Sequence, residues 1–87
     1  MSKRIIFQSL AWEDYHFWQI QDRKTLKRIN QLIKDIEKHN NEGSGKREPL
    51  KHKPGYWNRR IDSFNRLVYR LVNDTIEIAQ CRSHYDD

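Results

Sequence analysis

Residues that interrupt regular backbone are scarce in this 87-residue chain and gathered in one place: its three glycines and two prolines all fall between Gly43 and Gly55. That leaves no glycine-rich cradle for a nucleotide. Gly43-Ser44-Gly45-Lys46 is too short for a phosphate loop and precedes no helical pattern. A single cysteine, Cys81, excludes an internal disulfide and fits a reducing compartment. It reads as a small apolar core residue in a strand, because an unpaired cysteine is usually buried. No Cys/His or His/Asp spacing has the pattern of a metal site, and no cofactor is expected. No apolar run approaches the roughly 20 residues that cross a bilayer, and no signal-peptide core is present. The expectation is a soluble, cytoplasmic protein. Acidic residues are also rare in one segment. Between residues 46 and 70 only Glu48 and Asp62 oppose eight lysines and arginines, so that stretch carries a net +6 against +5 for the whole chain.

A charged fraction of 33% would suit a disordered chain, but three Trp, four Tyr and three Phe bring large buried areas. One folded domain over residues 1–87 is expected, of modest stability at this length. Arg4-Ile5-Ile6-Phe7 reads as a first strand. Ser9 is placed to cap a helix, with Glu13 and Asp14 near its positive end. Ala11, Tyr15 and Trp18 then form one stripe. Asp22 is placed to cap a second helix carrying Leu26, Ile29, Leu32, Ile33 and Ile36 at helical spacing and ending near Lys38-His39. The helical hairpin spans about 9–39. Residues 40–55 read as a long loop, and long ordered loops are usually functional. From Tyr56 to about residue 85 the period falls to two, with a tight turn at Asn73-Asp74 and a last strand over Ile76–Ser83. The order β-α-α-β-β-β implies an α+β domain, with helices covering one face of a small, mostly antiparallel sheet and the other face left to carry arginines.

A localized basic patch attracts polyanions, and nucleic acid comes first among them. The patch also contains groups that phosphate binding alone does not need. Cutting RNA without a metal takes a base for the ribose 2′-hydroxyl, an acid for the departing 5′-oxygen, and fixed cations for the phosphorane. Glu48 is a carboxylate among Lys46, Arg47 and Lys51. His84 is an imidazole with an ordinary pKa near neutrality. Arg66 offers a planar fork for two phosphate oxygens. Lys46, Lys51 and Arg60 are candidate phosphate contacts. Arg59 is another, but it alternates with Arg60 and falls on the opposite strand face. Arg82 shares a face with His84 by period two, which makes it a further candidate RNA contact. His16 and His39 read as surface or capping groups, and His52 as a loop-packing residue.

The segments Glu48-Pro49-Leu50-Lys51-His52, Tyr56-Trp57-Asn58-Arg59-Arg60-Ile61, Arg66-Leu67-Val68-Tyr69 and Cys81-Arg82-Ser83-His84-Tyr85 resemble the YoeB/Txe toxins of the RelE superfamily. The likeness runs from Trp12 to Tyr85. It implies the RelE-like microbial ribonuclease fold, with Glu48 as general base, Arg66 as the catalytic arginine and His84 as general acid. Tyr85 would stack on an mRNA base or bind the scissile phosphate. It further implies a type II toxin that enters the ribosomal A site and cleaves mRNA there. Its partner would be a YefM/Axe-type antitoxin with an acidic tail, bound jointly with the toxin to operator DNA, and the toxin itself would be a homodimer. This chain departs from the family pattern at Asn65, where a histidine is common, and at Ser83, where an aromatic is common. Asp86 and Asp87 follow the His84-Tyr85 pair, and their charge favours a protonated His84 while opposing RNA phosphate. The competing reading is a non-catalytic module that grips RNA or an acidic partner. A DNA-binding regulator is weaker, since no recognition-helix pattern is present.

Overall fold

The computed structural model describes residues 3–39 and 47–83; Lys46, His84, Tyr85, Asp86 and Asp87 lie outside them. One residue, Asp22, separates helix α1 (Ser9–Gln21) from helix α2 (Arg23–His39) and serves both. Its backbone N–H closes α1 on Trp18 at 3.0 Å. Its carboxylate accepts from the N–H groups of Lys24 and Thr25 at 3.1 and 3.3 Å and from the Thr25 hydroxyl at 2.8 Å. Orphan donors at the start of α2 are thereby satisfied, as the sequence led us to expect. The first helix starts differently. Gln8, not Ser9, is its N-cap, without a side-chain cap, and no acid lies in its first turn. Strand β1 (Arg4–Phe7) runs directly into it, and the Gln8 N–H donates to Ile78 at 2.9 Å. Sheet pairing therefore sets the helix start, leaving the Ser9 hydroxyl no role there.

The segment expected as uninterrupted loop contains a short strand. Arg47–Pro49 (β2) pairs antiparallel with Tyr56–Arg60 (β3), matching Glu48 with Asn58. Pro49 fits because β2 lies at the sheet edge. The return is made at Pro54-Gly55, where Tyr56 donates to Lys53 at 3.2 Å and Gly55 has φ 87°, as a type II turn requires. β3 pairs antiparallel with Arg66–Val72 (β4), and β4 with Thr75–Gln80 (β5). The predicted turn at Asn73-Asp74 joins the last two, with Asn73 at φ 54°. β1 lies parallel to β5, giving the sheet order β1-β5-β4-β3-β2. The result is the expected α+β fold with a mixed five-stranded sheet. The last strand stops at Gln80 rather than Ser83.

Period two then divides the sheet. Trp57, Tyr69, Ile76 and Ile78 pack with Ala11, Trp18, Ile29, Leu32, Ile33 and Ile36 in one core beneath the helices. Arg59 shares that face and is only 1% exposed. Its Nη1 donates to Asp35 on α2 at 2.6 Å and its Nε to the Tyr69 hydroxyl at 3.2 Å. Desolvation disfavours its charge, but the bonds to Asp35 and Tyr69 outweigh it and push the guanidinium pKa up. Arg59 is therefore a structural cation of the core, and the expectation that it contacts phosphate is corrected. Among the described residues no helix is long and apolar enough to cross a membrane.

Removing one partner of a buried ion pair leaves an uncompensated charge, which costs about 3–5 kcal/mol. Asp35→Ala is expected to lower unfolding stability by that amount in urea titrations. Replacing Asp35 and Arg59 together with apolar residues of similar volume is expected to recover most of it.

Candidate functional site

The face away from the helices carries Glu48, Tyr56, Asn58, Arg60, Arg66 and Arg70, by register across β2, β3 and β4. A small cluster of Leu50, Val68 and Ala79, with Tyr56 against it, anchors the bend that follows β2 to this face. One end of the face is internally neutralised. Arg70 Nη2 binds both carboxylate oxygens of Glu77 at 3.1 Å, and Gln8 donates to Glu77 and to the Tyr56 hydroxyl at 3.3 Å. Lys53 and Arg70 lie over the Tyr56 ring at 4.4 and 5.4 Å.

At the other end two cations face each other. Arg60 stands directly across from Arg66. Like charges in such a pair repel, with Cβ atoms roughly 4.5–5.5 Å apart, so the position suits a bound anion. Arg66 Nη1 is held against the adjoining turn by the carbonyls of Asp62 and Asn65 at 3.1 and 3.3 Å. Glu48 is exposed and faces Asn58, which makes it the diagonal neighbour of Arg60, about 7–8 Å away by ordinary sheet geometry. The Asn58 amide donates to the Glu48 carbonyl at 3.3 Å and ties β2 in place. Three of the residues singled out in the sequence thus meet on one surface. Lys51 is exposed in the bend beyond Leu50. His16, His39 and His52 are all exposed, with the His16 ring against Trp12 at 4.5 Å. Among the described residues no group of three or more His, Cys, Asp or Glu could hold a metal ion.

Residues 81–83 are fixed one at a time. The Cys81 N–H donates to the Asp14 carboxylate at 3.1 Å, and its carbonyl accepts from Trp18 Nε1 at 2.7 Å. Its thiol is fully buried against Ala11, and burial pushes it up to about 12, which bars it from acting as a nucleophile at neutral pH. It fills the small core position expected of it, just past the strand. The Arg82 guanidinium lies 3.6 Å over the Phe17 ring on α1. The Ser83 N–H then donates to Asn65 Oδ1 at 2.7 Å, and the Arg66 N–H to the Ser83 carbonyl at 3.1 Å. Ser83 has φ 74°, which breaks the alternation of a strand. Arg82 thus lies on the helix side, and its expected face-sharing with His84 falls outside the described residues. Position 84 is one peptide bond beyond a residue held against Arg66.

Asp14, Asn65 and Asp62 were missed as contributors. Asp14 had been read as a helix-dipole acid, yet it is buried, and burial raises its pKa. Its place between Ala11, Tyr15 and Trp18 in the apolar stripe was the available signal. Asp62 organises the turn: Oδ1 accepts from the N–H groups of Phe64 and Asn65 at 2.8 and 2.6 Å, and Oδ2 from the Asn65 amide at 2.9 Å. That orients the Asn65 oxygen toward Ser83.

A family model described as the YoeB-like toxin of bacterial type II toxin-antitoxin systems matches residues 7–85. The chain belongs to that family. The YoeB toxin of Streptomyces coelicolor is 53% identical over 83 residues, covering 94% of this chain and 99% of that protein. The YoeB dimer from Staphylococcus aureus superposes with a TM-score of 0.91 at 42% identity, covering 98% of this chain and 100% of that one. The YoeB–YefM complex from the same organism gives 0.88 at 41% identity, with the same coverage. As a YoeB-family toxin the chain is the toxin member of a type II pair, and it keeps the family's fold.

Desolvation pushes the Asp62 carboxyl up, but the hydrogen bonds from Asn65 and Phe64 and the Arg66 charge outweigh it and hold it below the usual carboxylate range. A lowered folded-state pKa stabilises above the unfolded value, about 3.9, and the stabilisation is lost as pH falls through the folded value. Asp62 is solvent-exposed, so screening discounts these interactions, and Asp62→Ala is expected to cost less than about 1 kcal/mol near neutrality. In urea titrations across pH, its gap to wild type is expected to close below about pH 4. A gap that stays constant into strong acid would remove the carboxylate from the turn's stability.

Proposed function

We propose that this toxin is a metal-independent endoribonuclease that cleaves mRNA in the ribosomal A site and so halts translation. The observation that carries the reading is a carboxylate, Glu48, set diagonally beside Arg60, which faces Arg66 on the open sheet face. A pure phosphate-binding surface has no use for a carboxylate among its cations. In the reaction, Glu48 takes the ribose 2′-hydroxyl proton and that oxygen attacks phosphorus. Arg66 and Arg60 hold the non-bridging oxygens of the phosphorane. His84 gives its proton to the departing 5′-oxygen, leaving a 2′,3′-cyclic phosphate and a 5′-hydroxyl. Tyr85 stacks on a base or binds the scissile phosphate, and Lys46 and Lys51 hold flanking phosphates. The clamp on Ser83 supports delivery of the histidine to Arg66.

The protein acts in the bacterial cytoplasm. A YefM-type antitoxin neutralises it by laying an acidic segment over the basic face, and the toxin engages operator DNA only within that complex. It forms a homodimer when alone, as the Staphylococcus aureus relative does.

Expressed without antitoxin, the wild type is expected to arrest growth, whereas Glu48→Gln combined with Arg66→Ala is not. Each preorganised electrostatic donor is worth about 10²–10³ in rate. Equal harmlessness at matched soluble levels would favour the binding-module reading. Translating ribosomes are expected to accelerate cleavage strongly over naked RNA; equal rates would make the protein an ordinary ribonuclease. His84→Gln is expected to lower single-turnover cleavage far more than ribosome binding. Wild-type cutting by that variant would take the imidazole out of the mechanism.

A further inference from the structure

A tight turn is an unusual place for a phenyl ring. The β3–β4 turn reads Asp62-Ser63-Phe64-Asn65, and three of its residues are of the polar types that turns favour. Phe64 is the fourth, and 59% of it is open to solvent. Among the described residues one other aromatic is exposed, Trp12 on α1, and its ring is engaged by Phe7, Tyr15 and His16 at 5.6, 6.2 and 4.5 Å. A single exposed apolar side chain is ordinary in itself. What distinguishes Phe64 is where the turn holds it.

The backbone on both sides of the ring is braced. Asp62 Oδ1 accepts from the Phe64 N–H at 2.8 Å and from the Asn65 N–H at 2.6 Å, a side-chain turn that fixes both residues. Arg66 Nη1 donates to the carbonyls of Asp62 and Asn65 at 3.1 and 3.3 Å. Phe64 lies between those two carbonyl bearers, one peptide unit (about 3.8 Å between Cα atoms) before Asn65. The exposed ring and the Arg66 guanidinium are therefore mounted on one braced turn. Asn65 also fixes which side of the reaction the ring is on. Its Oδ1 accepts from the Ser83 N–H, and the Ser83 carbonyl accepts from Arg66. Ser83 directly precedes His84 in the sequence, whereas Glu48 stands on β2, two strands from Arg66. The ring thus lies on the general-acid side of Arg66, where the leaving nucleotide departs.

We infer that Phe64 is a base-stacking platform, which takes the nucleobase immediately 3′ of the scissile phosphate while Arg66 holds that phosphate. This deepens the endoribonuclease reading and rests on it for the polarity of the strand. Surfaces that hold single-stranded nucleic acid combine cations for the backbone with aromatic faces for the bases. Every base has a π-face, so the contact tolerates any sequence. Attack in line requires the departing 5′-oxygen to be held opposite the 2′-oxygen, and a stacked base restrains the nucleotide that bears it. The bonds to Asp62 set the backbone at Phe64 before RNA arrives, so little ordering remains on binding.

The test compares wild type with Phe64→Ala, Phe64→Leu and Phe64→Tyr in the full chain. Ribosomes are programmed with mRNA carrying either a normal or an abasic nucleotide 3′ of the cut. A side chain this exposed is expected to leave the melting temperature unchanged when replaced. On normal mRNA, Phe64→Ala and Phe64→Leu are expected to lower single-turnover cleavage at subsaturating toxin about tenfold, and Phe64→Tyr to retain it. On abasic mRNA all four proteins are expected to cut at one reduced rate, because the ring then has no base to meet. A second arm places 2-aminopurine at each position of the A-site codon in turn, in a 2′-deoxy codon that cannot be cut. Wild type is expected to quench the fluorescence at one position, and Phe64→Ala to lose that quenching. Equal cleavage of normal mRNA by wild type and Phe64→Ala overturns the inference, as does an equal drop on abasic mRNA or quenching that never depends on Phe64. So does weaker binding of a YefM-type antitoxin by Phe64→Ala with cleavage intact, which assigns the ring to the partner protein. A wild type that quenches through Phe64 yet cuts no RNA under any condition sinks the endoribonuclease reading and leaves the stacking platform standing.

Discussion

The buried ion pair between Arg59 and Asp35 decides which way β3 faces, and the exposed chemistry depends on that choice. In a strand the faces alternate strictly, so a slip of one residue exchanges them. With Arg59 held by α2 and by Tyr69, its neighbour Arg60 must face outward, directly across from Arg66. The same parity puts Asn58 outward, and its partner Glu48 with it. An arginine in a core is costly to desolvate, and this one is retained with both a carboxylate and a phenol to satisfy it. Its contribution is as much to register as to stability, in the way a buried polar group fixes alignment elsewhere.

The C-terminal run shows a second division of labour. Helix α1 grips Cys81 and Arg82 through Asp14, Trp18 and Phe17, while the β3–β4 turn grips Ser83 through Asn65. Each contact is to backbone or to an aromatic face. Their joint effect is to fix the path of the chain where it leaves the sheet beside Arg66. Asn65 and Ser83 are bonded to each other, a side-chain amide oxygen holding a backbone N–H.

Much of this was legible in the sequence. The two helices, the Asp22 cap and the turn at Asn73-Asp74 followed from periodicity and local chemistry, because those signals act over three or four residues. So did the division of the sheet into an apolar face and an arginine-bearing one. What escaped depended on partners distant in the chain. A three-residue edge strand containing proline has no propensity of its own and exists because β3 offers it a ladder. The helix start at Ser9 was set by β5. Arg59 and Asp14 looked like surface charges until tertiary partners accounted for them. Arg60, Arg66 and Glu48 meet as expected, whereas Arg59 and Arg82 turn toward the helices.

The parallel pairing of β1 with β5 bears on when this protein acquires its shape. Arg4 is matched with Thr75, and Trp18 must find Cys81, 63 positions further along the chain. Contacts this distant in sequence are closed late and at entropic cost, so folding is governed by topology more than by the helices. The N-terminal strand has no neighbour in the sheet until β5 has been synthesised, and Asp14 and Trp18 on α1 have no Cys81 backbone to grip until that residue has followed. A nascent chain therefore carries the cations of residues 46–70 before it carries the strand and the Cys81 contacts that complete the fold.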